Sequence, residues 1–90
     1  MNGRKKLKVS IISPSQIGFE GEADALVVPA HDGLLGILYG HAPMVTLLGS
    51  GELVVRRDDS EQRFQVARGF LQVMDNEVSV LAEEVESSGP

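Results

Sequence analysis

Apolar residues recur at every second position along much of this chain, and that period limits it to sheet. Leu7, Val9 and Ile11 alternate with Lys8, Ser10 and Ile12, as in a strand with one buried face. Near the other end Val78, Val80 and Ala82 alternate with Glu77, Ser79 and Leu81. Pro14-Ser15 closes the first run, and Phe19-Glu20-Gly21-Glu22 reads as a short edge strand entering a glycine turn. Ala23 to Pro29 is apolar and β-branched at its end, which predicts a strand buried on both faces around Val27 and Val28.

The middle of the chain is punctuated by glycine. Gly33, Gly36 and Gly40 fall within eight residues, which excludes a helix and predicts tight loops around one short strand. Met44 to Leu48 is a further apolar strand, ended by Gly49-Ser50-Gly51. Glu52 to Arg57 pairs naturally with Gln62 to Ala67 across Asp58-Asp59-Ser60-Glu61. Gly69 splits that second run from Phe70 to Met74 and reads as a bulge. Asp75-Asn76 tolerates positive φ and predicts a tight hairpin. Beyond Ala82 the residues turn acidic and small, as in a frayed tail. The pattern is that of an all-β domain, a sandwich or barrel of about eight or nine short strands. It predicts a basic extension over residues 1–6, one β-domain over 7–83 and an acidic flexible tail over 84–90.

Ninety residues supply one modest core, since a chain of this length buries only about 60–65% of the surface its unfolded form exposes. There is no cysteine, which excludes disulfides and thiolate metal sites. Arg4, Lys5, Lys6 and Lys8 stand before Val9, and the remainder carries four basic residues against thirteen acidic ones. Such a surface repels phosphate backbones, and four aromatic side chains (Phe19, Tyr39, Phe64, Phe70) are few for base stacking, so nucleic acid is a poor partner. No apolar run approaches the ~18 residues that cross a bilayer. The basic start resembles the n-region of a signal peptide, but Val9 to Pro14 is too short and interrupted for the apolar region, which predicts a cytoplasmic protein.

Catalytic chemistry finds little to stand on. His31-Asp32 and His41 are the candidates for a metal pair, and no spacing supplies the third protein ligand that zinc requires. The glycines match neither nucleotide-loop pattern, and no basic residue lies between Lys8 and Arg56 to meet a phosphate. Ser13, Ser15 and Ser50 have no histidine nearby in sequence. The expectation is no catalytic residue, no metal and no cofactor, and a domain held by its neighbours. Two alternatives stay open on the residues alone: an unrelated β-sandwich adaptor, and a small metal-dependent hydrolase built on His31, Asp32 and His41.

The segment from Asp32 to Pro43, DGLLGILYGHAP, resembles the signature of epsilon subunits of rotary F-type ATP synthases, an acidic-Gly-x-Leu-Gly-Ile stretch running into Gly-His-Ala-Pro. The similarity is colinear along the chain. Phe19-Glu20-Gly21, Gly51-Glu52-Leu53, Gly69-Phe70-Leu71-Gln72-Val73 and Val78-Ser79-Val80-Leu81-Ala82 each look like the family's motif at the matching place. The resemblance implies a flattened β-sandwich of eight to ten strands, here without the helical hairpin that follows it in the family. It implies a non-catalytic rotor part of the ATP synthase complex, peripheral at the cytoplasmic face of a bacterial membrane. There it would join the gamma shaft to the membrane c-ring, with ATP synthesis coupled to ion transport. By the same similarity the loop Ala30, His31, Asp32, Gly33, Leu34 and Leu35 faces the c-ring, and Ser13, His41 and Thr46 face gamma. Leu34 stands where many members carry glutamate, and Tyr39 replaces the usual proline, which implies a more apolar ring contact. Without the hairpin, the chain is expected neither to inhibit ATP hydrolysis nor to bind ATP.

Overall fold

Two long strands organise the molecule. The computed structural model describes residues 5–88 and contains eight strands. These are β1 (Leu7–Ser13), β2 (Gln16–Ala23), β3 (Ala25–Ala30), β4 (Gly33–Leu38), β5 (Met44–Leu47), β6 (Gly51–Arg57), β7 (Ser60–Met74) and β8 (Glu77–Ser87). Strand β7 runs for 15 residues and β8 for 11, where short strands were expected. They are joined by the anticipated Asp75-Asn76 turn, with φ of 51° and 64°.

The ladder order is β2-β1-β8-β7-β6-β3-β4, and β5 also pairs with β7. All pairs are antiparallel except β1 with β8, which lie parallel. The first half of β7 pairs with β6, from Ser60 opposite Arg57 to Val66 opposite Gly51. Its second half pairs with β5, from Phe70 opposite Leu47 to Val73 opposite Met44. The long hairpin thereby belongs to both layers of a sandwich. The inward set on β7 changes phase on the way, from Phe64 and Val66 to Leu71 and Val73, and on β8 from Val78, Val80 and Ala82 to Val85.

The phase change sits at Arg68, whose φ is 59°. The bulge expected at Gly69 is absent as a change of register: Ala67 pairs Glu84 and Gly69 pairs Ala82, and the ladder continues in step. A left-handed residue on the strand turns the chain there, so no extra residue is required. The actual register shift lies in β1–β2, between Ile11 and Ile12, where Ile11 pairs Phe19 and Ile12 pairs Ile17, leaving Gly18 unpaired.

The tail expected from Glu84 also gives way over its described part. Glu84 to Ser87 continue β8, paired with Ala67 to Phe64, because Val85 is buried and anchors the segment. Gly89 and Pro90, like Met1 to Arg4 at the other end, lie outside the described residues. Lys6, placed in a basic extension by the sequence pattern, reaches Asp24 Oδ1 at 2.5 Å and Asp58 Oδ1 at 3.3 Å. Val27, expected to be buried on both sides, is half-exposed because β3 shows only one face to the core.

The core lies between the layers. Leu7, Ile11, Leu71, Val73, Val78 and Val80 line it from one side, and Leu26, Val28, Ile37, Leu53 and Val55 from the other. Each such side chain contributes about 1.5–3 kcal/mol when fully buried. Strand β2 closes the sandwich against the far halves of β7 and β8. Phe19 meets Phe64 edge to face at 6.0 Å and 65°, and Gln16 Nε2 donates to the Val85 carbonyl at 3.0 Å. The overall extents, 38 × 27 × 22 Å, are those of a flattened body.

Candidate functional site

The two outer faces of the sandwich differ in kind. On the β6–β7 side, outward residues form an ion-pair network: Arg56 with Glu61 at 3.1 Å, and Arg63 with Glu52 at 3.0 Å and Glu61 at 2.6 Å. The other face is apolar where five strands cross. Leu47 pairs Phe70, Phe70 pairs Leu81, Leu81 pairs Ile12 and Ile12 pairs Ile17. Paired residues point the same way, so one apolar side chain from each of β5, β7, β8, β1 and β2 stands in a single row of about 19 Å. Four of the five are well exposed: Leu47 60%, Phe70 40%, Leu81 40% and Ile17 61%.

Beside the row lies a groove of about 400 Å³ lined by Ile12, Ser13, Pro14, Phe70, Leu81 and Ala82, with Arg68 and Glu83 at its polar rim. Arg68 donates to Glu83 at 3.0 Å and to Glu84 at 2.5 Å. These contacts hold the guanidinium charged, raising its pKa further, with the Glu83 bond the larger cause. An apolar row with such a rim has the make-up of a partner-binding surface, since monomers rarely leave large contiguous apolar area open.

The sequence-predicted positions distribute unevenly over this frame. Ser13 lines the groove and is buried, its Oγ 3.3 Å from the Gln16 carbonyl. Thr46 lies on β5 in the row of Leu71, Val80 and Ile11, on the core side, at the open edge of that strand. His41 is half-buried in the β4–β5 connection, its amide donating to the Leu38 carbonyl at 3.1 Å. The structure does not gather these three into one cluster. Ser13 alone lines the groove beside the apolar row, while Thr46 lies on the inward phase of β5 and His41 in the connection before it.

The loop expected over residues 30–35 is instead the tip of the β3–β4 hairpin, with His31-Asp32 as its turn and Ala30 paired with Gly33. Ala30 is buried and Leu35 packs partly against the core, so four of the six residues, His31 to Leu34, face solvent. The turn is braced from the end of β5 and the residues after it: the His31 amide donates to the Leu47 carbonyl at 3.0 Å, and Gly49 N–H donates to the Pro29 carbonyl at 2.7 Å. Gly33 takes φ of 132°, which lets the chain reverse without strain. Leu34 is 75% exposed. Among the described residues no three His, Cys, Asp or Glu side chains converge as metal ligands would.

The family described as the beta-sandwich domain of the ATP synthase delta/epsilon chain matches residues 6–88. The chain belongs to this family. Its members are non-catalytic subunits, which agrees with a body whose distinctive surfaces are flat and apolar. The epsilon chain of Leptospira borgpetersenii serovar Hardjo-bovis is 47% identical over 78 residues, covering 87% of this chain and 61% of that one. The epsilon chain of Chlorobium limicola is 38% identical over 82 residues, covering 90% of this chain and 93% of that one. This chain thus spans about three fifths of the Leptospira relative and nearly all of the Chlorobium one. In solved structures the fold recurs in the Euglena gracilis mitochondrial ATP synthase assembly of OSCP, F1 and c-ring. The TM-score there is 0.86 at 20% identity, over 97% of this chain and 56% of that one. It recurs also in the central stalk and c-ring of the Tetrahymena thermophila mitochondrial ATP synthase, with a TM-score of 0.74 at 16% identity, over 93% of this chain and 68% of that one.

The family motifs were legible as strings, but the apolar row was not. Its members are scattered between Ile12 and Leu81, one per strand, and only the registers bring them into line. The one signal available beforehand was an apolar residue at an outward phase, such as Leu81 between Val80 and Ala82.

Proposed function

We propose that this chain is a coupling part of the rotor of a bacterial F-type ATP synthase, at the cytoplasmic face of the membrane. It holds the gamma shaft on one surface and rests on the c-ring with another, so that ring and shaft turn together while ATP synthesis is coupled to ion transport. The observation that carries this reading is the pairing of two exposed apolar features on one rigid frame: the five-strand row and Leu34 beside the braced β3–β4 turn. Ser13, His41 and Thr46 are assigned to gamma, Ser13 from the groove and the other two from β5 and the connection before it, and the segment Ala30–Leu35 is assigned to the ring.

The mechanical role follows from the build. A sandwich whose longest hairpin takes part in both layers transmits force through hydrogen-bond ladders and a packed core, which deform little. No acid, base or nucleophile has to move. The described residues contain no helix, so the reading assigns them coupling and not the inhibition of hydrolysis.

The test is reconstitution of the F-type complex with and without this chain. ATP-driven ion pumping should depend on it, and ATP hydrolysis at saturating ATP should not be blocked when the isolated chain is added. Pumping that is equally tight without the chain would overturn the proposal.

A further inference from the structure

The connection from β4 to β5 carries Tyr39 to Pro43 over open surface, and an asparagine from another hairpin reaches across to hold it. Asn76 Oδ1 accepts the Gly40 amide N–H at 2.6 Å. The carbonyl of the same residue accepts the Lys8 amide N–H at 2.9 Å. Asn76 therefore ties three pieces of chain together: its own β7–β8 turn, the start of β1 and the β4–β5 connection. The hydrogen bonds of His41 are internal to the connection, from its amide to the Leu38 carbonyl at 3.1 Å and between its Nδ1 and the Ala42 carbonyl at 2.7 Å.

The turn alone does not require this side chain. Asn76 has φ of 64°, and glycine occupies that region more freely than any other residue. Its bond to Lys8 is made by the main chain and would survive loss of the side chain. What the carboxamide adds is the bond to Gly40, itself at φ of 87° and next to His41.

The geometry points to Asn76 as a positioning residue: it holds the 39–43 connection in the shape that presents His41 to the gamma shaft. This rests on the proposed reading that His41 faces gamma. A loop ordered before contact loses less conformational freedom on binding, so the bond raises affinity without touching the partner. A purely structural role would lower the melting temperature and leave gamma affinity unchanged.

The test uses the full chain and the gamma subunit of the same complex, with three variants. Asn76→Gly keeps the turn and removes the acceptor. Asn76→Asp keeps an acceptor and tolerates the backbone. His41→Ala removes the presented group. Gly40 amide exchange followed by NMR reports the bond directly, and calorimetry reports gamma affinity. In Asn76→Gly, Gly40 should exchange at least about tenfold faster and gamma should bind about five- to tenfold more weakly, the loss expected for one hydrogen bond. Its melting temperature should fall by no more than the several degrees that one hydrogen bond is worth, and Asn76→Asp should retain both properties. His41→Ala should weaken binding and leave Gly40 exchange unchanged. Unchanged Gly40 exchange in Asn76→Gly overturns the inference, as does faster exchange with unaltered affinity when His41→Ala is impaired. His41→Ala binding as tightly as the parent overturns the underlying reading of His41, and Gly40 exchange then decides the clasp by itself.

Discussion

Gly69, paired with Ala82 in the β7–β8 ladder, packs against the Leu81 backbone with no room for a side chain: a Cβ on Gly69 would lie 1.8 Å from the Leu81 carbonyl oxygen and 2.7 Å from the Ala82 Cα. Both obstructing atoms are backbone, so neither can rotate away. The close approach occurs beside Arg68, where the long hairpin passes from one layer to the other. Gly69→Ala should therefore destabilise the domain by about 3 kcal/mol or more, at the upper end for a single methyl. Urea unfolding of the two proteins checks it, and a loss under about 1 kcal/mol would show that the strands separate easily.

The apolar row offers a cleaner test of partner binding than any core residue. Phe70 and Leu81 point outward from paired positions, so changing them leaves the core intact. Phe70→Ser and Leu81→Ser should each melt close to the parent and each weaken capture of gamma by about tenfold or more, as loss of a central apolar anchor does. Glu52→Gln, in the ion-pair network of the opposite face, should leave capture unchanged. Equal effects from both faces would remove the row from consideration.

Leu34 should decide the salt response of the ring contact. It is exposed on an edge strand, so Leu34→Glu will barely alter folding. Burying a leucine contributes about 1.5–3 kcal/mol, whereas an exposed ion pair contributes about 0–1 kcal/mol and is screened by salt. Binding of the parent to reconstituted c-ring should change little between low and high salt, and binding of the glutamate variant should fall clearly. Identical salt curves would place Leu34 outside the contact.

Lys6 should govern the alkaline limit of stability. Its ammonium is raised above the ordinary lysine value of 10.5, chiefly by the hydrogen bond to Asp24, against desolvation and with help from Asp58. The group is more easily protonated folded than unfolded. Its stabilisation is therefore complete below the unfolded pKa and disappears as pH rises through the folded one. The melting temperature of the parent should fall more steeply above pH of about 10.5 than that of Lys6→Met, and the two curves should converge there. Asp24 Oδ2 also accepts the Asp58 amide at 2.6 Å, so Lys6→Met should melt lower at neutral pH by loosening the clamp on that turn.

Short-range chemistry was readable along the chain. Alternation placed β1 and β8, the Asp75-Asn76 pair marked its hairpin, and Gly49-Ser50-Gly51 marked the break between β5 and β6. The family motif around Gly36 was likewise a string of neighbours. These features depend on residues a few positions apart, whose backbone preferences act locally. The uninterrupted course of β7 past Gly69, the parallel seat of β1 beside β8 and the conversion of Glu84–Ser87 from tail to strand depend on partners far away in sequence. So does the row from Leu47 to Ile17, in which each residue is unremarkable on its own strand. Side-chain alternation is a property of one strand, whereas alignment across strands is a property of register. Register is set only when turns, bends and core packing are satisfied together.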